Sequence, residues 1–316
     1  MFLRRLSFTL ALGIAFYIGL FTIHKILPYI GVGSGIITDE KLHFIKKESI
    51  FPPNAKRRLV IFGDSRVLSG FIPALFDELS GGTIYSYNLG IPEKPMIIPL
   101  MKDIINNGQI PTDIFITVPW KGLEKKNPLV FIDNDNRIIK RLVPFRHLIR
   151  NLFIFWNRSR DRGGIKKLYD ESKQTAKKLL ENRGYYSIAG QPSYKNDGLP
   201  EDFSFFSDQP DKLYSRPVPP KNELYKQFAQ MLEEHSIKAY FVPIYYRTGA
   251  YKPNPEPNVE LIKAFENNSR IQVLGQDYFS FPNKLFSDSV HVNPNGAKVY
   301  TTKLWELYSK HLQNSI

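Results

Sequence analysis

A hydroxyl, an imidazole and a carboxylate that read as one proton relay stand near opposite ends of this 316-residue chain. Near the start, Ile61-Phe62-Gly63-Asp64-Ser65-Arg66 overlaps an unbroken apolar run, Leu59-Val60-Ile61-Phe62. Such a run suits a strand buried on both faces. Gly63 permits a tight turn, and Ser65 falls at the strand-to-helix corner, where backbone N–H groups can face developing negative charge. Near the end, Asp288-Ser289-Val290-His291 precedes Pro294 to Leu312, a helical segment that Asn293 can cap. A carboxylate three residues before a histidine can fix the imidazole's tautomer, and the imidazole can then take the serine's proton. A Gly-Asp-Ser tripeptide alone is commonly a plain turn, and an Asp-x-x-His pair alone a surface accident. Together, at the two ends of one α/β domain, they point to nucleophilic acyl chemistry. Elimination agrees. His24 borders an apolar segment, His43 lies in a polar stretch, His147 in an Arg-rich region, His235 at a helix end and His311 in the last helical turn.

These segments need a scaffold that gathers strand ends at one edge. Val67 to Leu79 has helical spacing and stops at Gly81-Gly82. Thr83 to Asn88 reads as a second strand, Pro95 to Asn107 as a second helix and Asp113 to Val118 as a third strand stopped by Pro119. A β-α-β-α-β series with short connections predicts an open parallel sheet with helices on both faces and chemistry at the carboxyl ends of its strands. The alternation resumes with a helix at Asn222 to Glu234, a strand at Ala239 to Val242, a helix at Val259 to Asn267 and a strand at Ile271 to Leu274. Between them, residues 121–220 form an insertion. Ile138 to Lys178 suggests amphipathic helices, and Tyr185 to Pro220 is loop-like. The insertion reads equally as a substrate-facing lid or as surface elaboration.

Composition bounds the rest. Hydrophobic residues make up 42% and charged residues 23%, which excludes disorder and collagen-like repeats. The absence of cysteine excludes disulfides, zinc–thiolate sites, iron–sulfur clusters and a cysteine nucleophile. Only one stretch, Leu6 to Ile23, is long and apolar enough to span a bilayer, which excludes a polytopic membrane protein. It rises about 27 Å as a helix. It is longer than the roughly 7–15-residue core of a secretory signal, and Gly31-Val32-Gly33 is a poor cleavage site. Residues 1–30 therefore read as an uncleaved signal anchor, residues 31–58 as a stalk and 59–316 as the α/β domain. Arg4-Arg5 before the span and one Lys after it favour a cytoplasmic N-terminus and an extracytoplasmic domain. The net charge of +13 fits an anionic partner or a plain lysine-rich composition. Lys166-Lys167 and Lys177-Lys178 fit solvated helix faces or contacts with anionic headgroups. No nucleic-acid-binding motif accompanies the charge. No His/Asp/Glu cluster beyond the Asp288–His291 pair has ligand spacing, so no metal or other cofactor is expected.

The chain resembles the SGNH/GDSL hydrolase superfamily. Gly63-Asp64-Ser65-Arg66 matches its first block, Asn88-Leu89-Gly90 its second and Asp288-x-x-His291 its last. The resemblance covers Leu59 to Val118 and roughly Lys221 to Leu312. It implies a three-layer α/β/α sandwich of about five mostly parallel strands, with Ser65 as nucleophile, His291 and Asp288 completing the triad, and the Ser65 and Gly90 N–H groups facing the oxyanion.

The third block of that family usually carries an asparagine oxyanion donor, whereas this chain reads Ile116-Thr117-Val118-Pro119-Trp120. This end resembles the membrane-anchored branch that includes the D-alanyl-lipoteichoic acid protein DltD and the alginate acetylation proteins. That likeness implies work beside a membrane-bound O-acyltransferase on acyl esters of a cell-surface polysaccharide or lipid-linked glycan. Loss of one oxyanion donor weakens transition-state binding by about 2.7–4 kcal/mol. A catalytically weak accessory protein that holds a glycan or partner is therefore the rival reading. Trp120 is either the wall of an acyl or sugar site or a core-edge aromatic. Arg66 is either an anion-binding group or a solvent-facing helix-start residue.

Overall fold

The computed structural model describes residues 2–30, 34–92, 97–117, 145, 148–188, 197–206, 208, 223–252, 255–257 and 259–314. The strands are β1 (Arg57–Gly63), β2 (Ile84–Gly90), β3 (Asp113–Ile116), β4 (Lys238–Phe241), β5 (Ile244–Arg247), β6 (Ile271–Val273) and β7 (Tyr278–Phe281). The helices are α1 (Phe2–Ile26), α2 (Ser34–Lys47), α3 (Ser65–Gly70), α4 (Pro73–Leu79), α5 (Ile97–Asn106), α6 (Leu148–Asp161), α7 (Ile165–Glu181), α8 (Glu223–Glu234), α9 (Val259–Phe265) and α10 (Pro294–Gln313). The chain divides into two compact units. One joins Met1–Asp39 to Asp133–Lys177; the other joins Glu40–Ile132 to Lys178–Ile316.

The second unit is an α/β structure on a five-stranded, wholly parallel sheet of order β2-β1-β3-β4-β6. Side chains along each strand alternate between its faces. Val60, Phe62, Ile114, Ile116 and Phe241 join a cluster with Leu100 and Ile104 of α5 and Phe228 and Leu232 of α8. Leu59, Ile61, Phe115 and Tyr240 join the opposite cluster with Val67, Phe76, Tyr300 and Tyr308. Burial on both faces is why the β1 sequence is continuously apolar. The chain leaves β1 toward β2 on one side and reaches β3 on the other, so the strand order reverses at β1. A crevice opens at the carboxyl ends of strands where such a reversal occurs.

Three expectations change. The helix expected over Val67 to Leu79 is two short helices, α3 and α4. Pro73 starts the second, and Ile72 before it is extended, as steric clash with a following proline ring demands. A small second sheet, β5 paired in parallel with β7, lies beyond Pro243, where the sequence was expected to leave strand structure. Residues expected to form a stalk include α2, whose Ile45 packs in the core beneath the sheet and whose Lys41 is fully buried. Of the insertion, residues 148–181 contain α6 and α7, the amphipathic helices expected; most of the rest, and the lid reading with it, lies outside the described residues.

In the first unit, α1 contains Arg4–Ile26, a stretch long and apolar enough to cross a membrane. Leu20 and Leu27 pack against a cluster of Ile30, Phe145, Leu148, Phe155 and Leu168.

Glycine at two motif positions is required by close packing. A Cβ on Gly63 would lie 2.2 Å from Val67 Cγ2 and 2.3 Å from Thr117 Oγ1. One on Gly90 would lie 2.3 Å from the Leu68 backbone nitrogen and 2.9 Å from the Asp64 carbonyl oxygen. Backbone cannot retreat as a flexible side chain can. Gly90→Ala is expected to destabilise the folded chain by about 1–3 kcal/mol through overpacking, read as a lower denaturant midpoint for the full-length protein in detergent.

Candidate active site

Ser65 is the first residue of α3, directly beyond the Gly63 end of β1. Asp64 caps that helix, its Oδ1 accepting from the Arg66 N–H at 2.9 Å. No acceptor among the described residues takes the Ser65 N–H, which leaves it available to an anion at the corner. A six-residue helix leaves most of its carbonyls without intrahelical partners. Distant groups supply donors here. Tyr245 Oη–H donates to Arg66 O at 2.9 Å, the Asn88 amide to Val67 O and Phe71 O at 2.8 Å each, the Tyr186 N–H to Leu68 O at 3.1 Å and the Thr301 hydroxyl to Gly70 O at 3.2 Å. The serine corner is therefore fixed by four separate parts of the chain.

The opposite loop arranges itself locally. Asp288 Oδ1 accepts from the backbone N–H groups of Val290, at 2.8 Å, and His291, at 2.6 Å. That turn brings Oδ2 to 2.8 Å from His291 Nδ1. The three-residue spacing is thus a geometric requirement: one carboxylate oxygen closes the turn and the other reaches the ring. Asn293 ties the loop to α10, accepting from the Gly296 N–H at 2.9 Å and donating to Lys284 O at 2.8 Å.

The two loops meet. His291 Nε2 lies 2.9 Å from Ser65 Oγ. An ionised Asp288 accepts only, so Nδ1 carries the ring proton and Nε2 is left as an acceptor for the serine hydroxyl. Burial raises the cost of charge on Asp288, but hydrogen bonds from the His291 ring and from the backbone of His291 and Val290 outweigh it. The carboxyl is held below its ordinary pKa. All three side chains are part-buried and reachable from solvent. The arrangement can deprotonate Ser65 as it attacks an electrophilic carbon and return the proton to a leaving alcohol.

Four other expected site residues fare differently. The Gly90 N–H donates to Asn88 Oδ1 at 2.8 Å, so it is engaged within β2 and not directed to an oxyanion. Asn88 is fully buried and serves as a clamp between β2 and α3, with no face toward substrate. Arg66 is neither solvent-facing nor open to an outside anion. Its guanidinium is buried, pairs with Asp64 at 2.7 Å (Nη2 to Oδ2) and at 3.1 Å (Nε to Oδ2), and lies 5.1 Å from the Tyr246 ring centre. Trp120 lies outside the described residues.

Sequence reasoning missed two buried basic side chains. Lys41 donates to Asn88 O at 2.9 Å and Gly90 O at 2.7 Å, two carbonyls on the free edge of β2. Burial pushes its pKa well below the usual lysine range. Arg247, 1% exposed, donates to Ser289 O at 3.2 Å inside the Asp288–His291 loop and forms a two-point pair with Asp208 at 2.6 and 2.8 Å. A lysine within an apparent stalk gives no local sign of burial. Arg247 could have been suspected only as a charge ending the hydrophobic run Ile244-Tyr245-Tyr246. Among the described residues, no group of three or more His, Asp or Glu could hold a metal ion.

Compared with known protein families, curated proteins and solved structures, the chain matches none.

Replacing Lys41 by Met strands two buried carbonyls and is expected to destabilise the protein by about 1–3 kcal/mol per unsatisfied group, seen in denaturant unfolding. Asp64 is also held below its ordinary carboxyl pKa: burial opposes its charge, and the Arg66 charge and hydrogen bonds outweigh that effect. Ionised Asp64 and Asp288 therefore add stability above the unfolded aspartate value of about 3.9, and this contribution fades as pH falls through their lower folded values. Asp64→Asn leaves a buried guanidinium without its countercharge. It should destabilise by about 3–5 kcal/mol near neutral pH and give a flatter acid limb in a pH series of unfolding midpoints.

Proposed function

We propose that this protein is a membrane-anchored SGNH-type serine esterase or O-acyltransferase acting on acyl esters of a cell-surface polysaccharide or lipid-linked glycan. The observation that carries the catalytic part is the continuous relay Ser65 Oγ–His291 Nε2 and His291 Nδ1–Asp288 Oδ2, at 2.9 and 2.8 Å. The strand order with Ser65 at the β1 corner supports the SGNH reading of the fold. In this proposal Ser65 Oγ attacks the acyl carbonyl carbon and His291 Nε2 takes the hydroxyl proton. The tetrahedral oxyanion faces the Ser65 N–H. Collapse breaks the ester bond, and His291 returns the proton to the departing alcohol. A sugar hydroxyl or water then repeats the sequence on the acyl-serine, with His291 again as base.

The anchor would be α1, with Arg4-Arg5 on the cytoplasmic side and the α/β unit in the extracytoplasmic space beside a membrane-bound O-acyltransferase. A captive acceptor at a membrane favours transfer over hydrolysis, because an oriented hydroxyl outcompetes water through effective concentration.

The engaged Gly90 N–H favours a second reading: an accessory protein that binds a glycan or partner and turns over weakly. Each absent oxyanion donor lowers the rate about 10²–10³-fold. Full-length protein in detergent, treated with a fluorophosphonate probe and a chromogenic acetyl ester, separates the two. The enzyme reading expects labelling of Ser65 with loss of fluoride, no labelling of Ser65→Ala, and turnover about 10⁴-fold lower in Asp288→Asn. Folded wild-type protein that neither labels nor turns over sinks that reading in favour of the accessory one.

A further inference from the structure

Helix α6 carries more apolar surface than its own unit covers. Leu148 and Phe155 are buried and Leu152 partly so, forming one stripe against Ile30, Phe145 and Leu168. Beside that stripe stand Ile149, Phe153 and Trp156, 62%, 67% and 57% exposed. At about 100° per residue, these three fall within roughly 60° of one another. An uncovered apolar face next to a covered one needs an occupant.

The packing within this unit fixes what that occupant is. The Leu148 N–H, at the start of α6, donates to Phe145 O at 2.8 Å. The Phe145 ring meets Tyr17 edge-on at 5.1 Å between centroids. Tyr17 lies nine residues inside the Ile26 end of the apolar stretch, about 14 Å along the helix axis. Leu20, also inside the stretch, packs against the same cluster. Leu27 and Ile30, just beyond the stretch, belong to the same packing, so the cluster straddles the outer end of the span at the headgroup–acyl level, where an outward apolar face meets lipid. The composition agrees. Trp156 is an interfacial aromatic; Arg150 and Arg158 stand outside the apolar face as exposed cations that suit headgroup phosphates, and Arg160, in the last turn at the angle of that face, reaches them by extending its long side chain.

We propose that α6 is an in-plane interfacial helix, with Ile149, Phe153 and Trp156 inserted at the headgroup–acyl boundary, giving the protein a second membrane contact beside α1. This inference rests on the reading of α1 as a membrane anchor. Its occupant is the lipid bilayer itself, not a second copy or another protein.

The chain lacks cysteine, so single cysteines can be introduced without background. Full-length Leu12→Cys, Phe153→Cys, Trp156→Cys and Asn157→Cys variants carry a nitroxide. They are reconstituted at low protein-to-lipid ratio into phosphatidylcholine–phosphatidylglycerol vesicles and tested with oxygen, which partitions into lipid, and a water-soluble nickel chelate. Labels at 153 and 156 are expected to relax several-fold more with oxygen than with nickel, as at 12, and the label at 157 the reverse. Nickel access at 153 and 156 equal to that at 157 overturns the proposal. So does shielding from both reagents, the mark of a protein occupant. Oxygen-rich relaxation at 12 with nickel access at 153 removes the interfacial helix alone, whereas nickel access at 12 removes the anchor reading and this inference with it.

Discussion

The amide of Asn88 is the contact on which the site depends. Helix α3 is too short to hold its own geometry, because helix nucleation is unfavourable and six residues close few hydrogen bonds. Its position is imposed by donors from elsewhere, and Asn88 supplies two of them while accepting from the Gly90 N–H. One buried side chain thus fastens the end of β2 to the helix that presents Ser65. The absence of a side chain at Gly90 lets that strand approach the Asp64 carbonyl and the Leu68 nitrogen closely enough for the clamp to close.

Buried charge braces the two halves of the relay in different ways. On the serine side, Asp64 both caps α3 and neutralises Arg66, so the residue after Ser65 is engaged internally. On the histidine side, Arg247 reaches Ser289 O while paired with Asp208, coupling the Asp288–His291 turn to the small second sheet. Lys41 covers the free edge of β2, where unpaired carbonyls would otherwise be left in the interior. Lys41 and Arg247 each sit where a backbone carbonyl near the site needs a donor, which is a physical reason for burying long basic side chains.

Much of the framework was legible because it follows short-range rules. The five strands of the sheet show as short segments rich in aliphatic and aromatic residues at Leu59, Ile84, Ile114, Ala239 and Ile271. Pro294 after Asn293 marks the start of the closing helix. The second sheet was hidden because β5 follows β4 across Pro243 without a turn-forming segment, and its partner β7 is a four-residue aromatic stretch without alternation. The helix across Lys41 was hidden because its mixed polar and apolar residues give no stripe wide enough to announce a core contact.

The sequence alone determined which side chains can form the relay: a serine at a strand end and an aspartate three residues before a histidine, since these depend on residue type and local spacing. Only the tertiary structure decided their neighbours. It joined Ser65 to His291 across the fold, turned the Gly90 N–H toward Asn88, withdrew Arg66 into a pair with Asp64 and brought in Lys41 and Arg247. The reason is range. Turns and caps are satisfied within a few residues, whereas a buried donor takes whatever acceptor the packed sheet brings within about 3 Å, whatever its place in the chain.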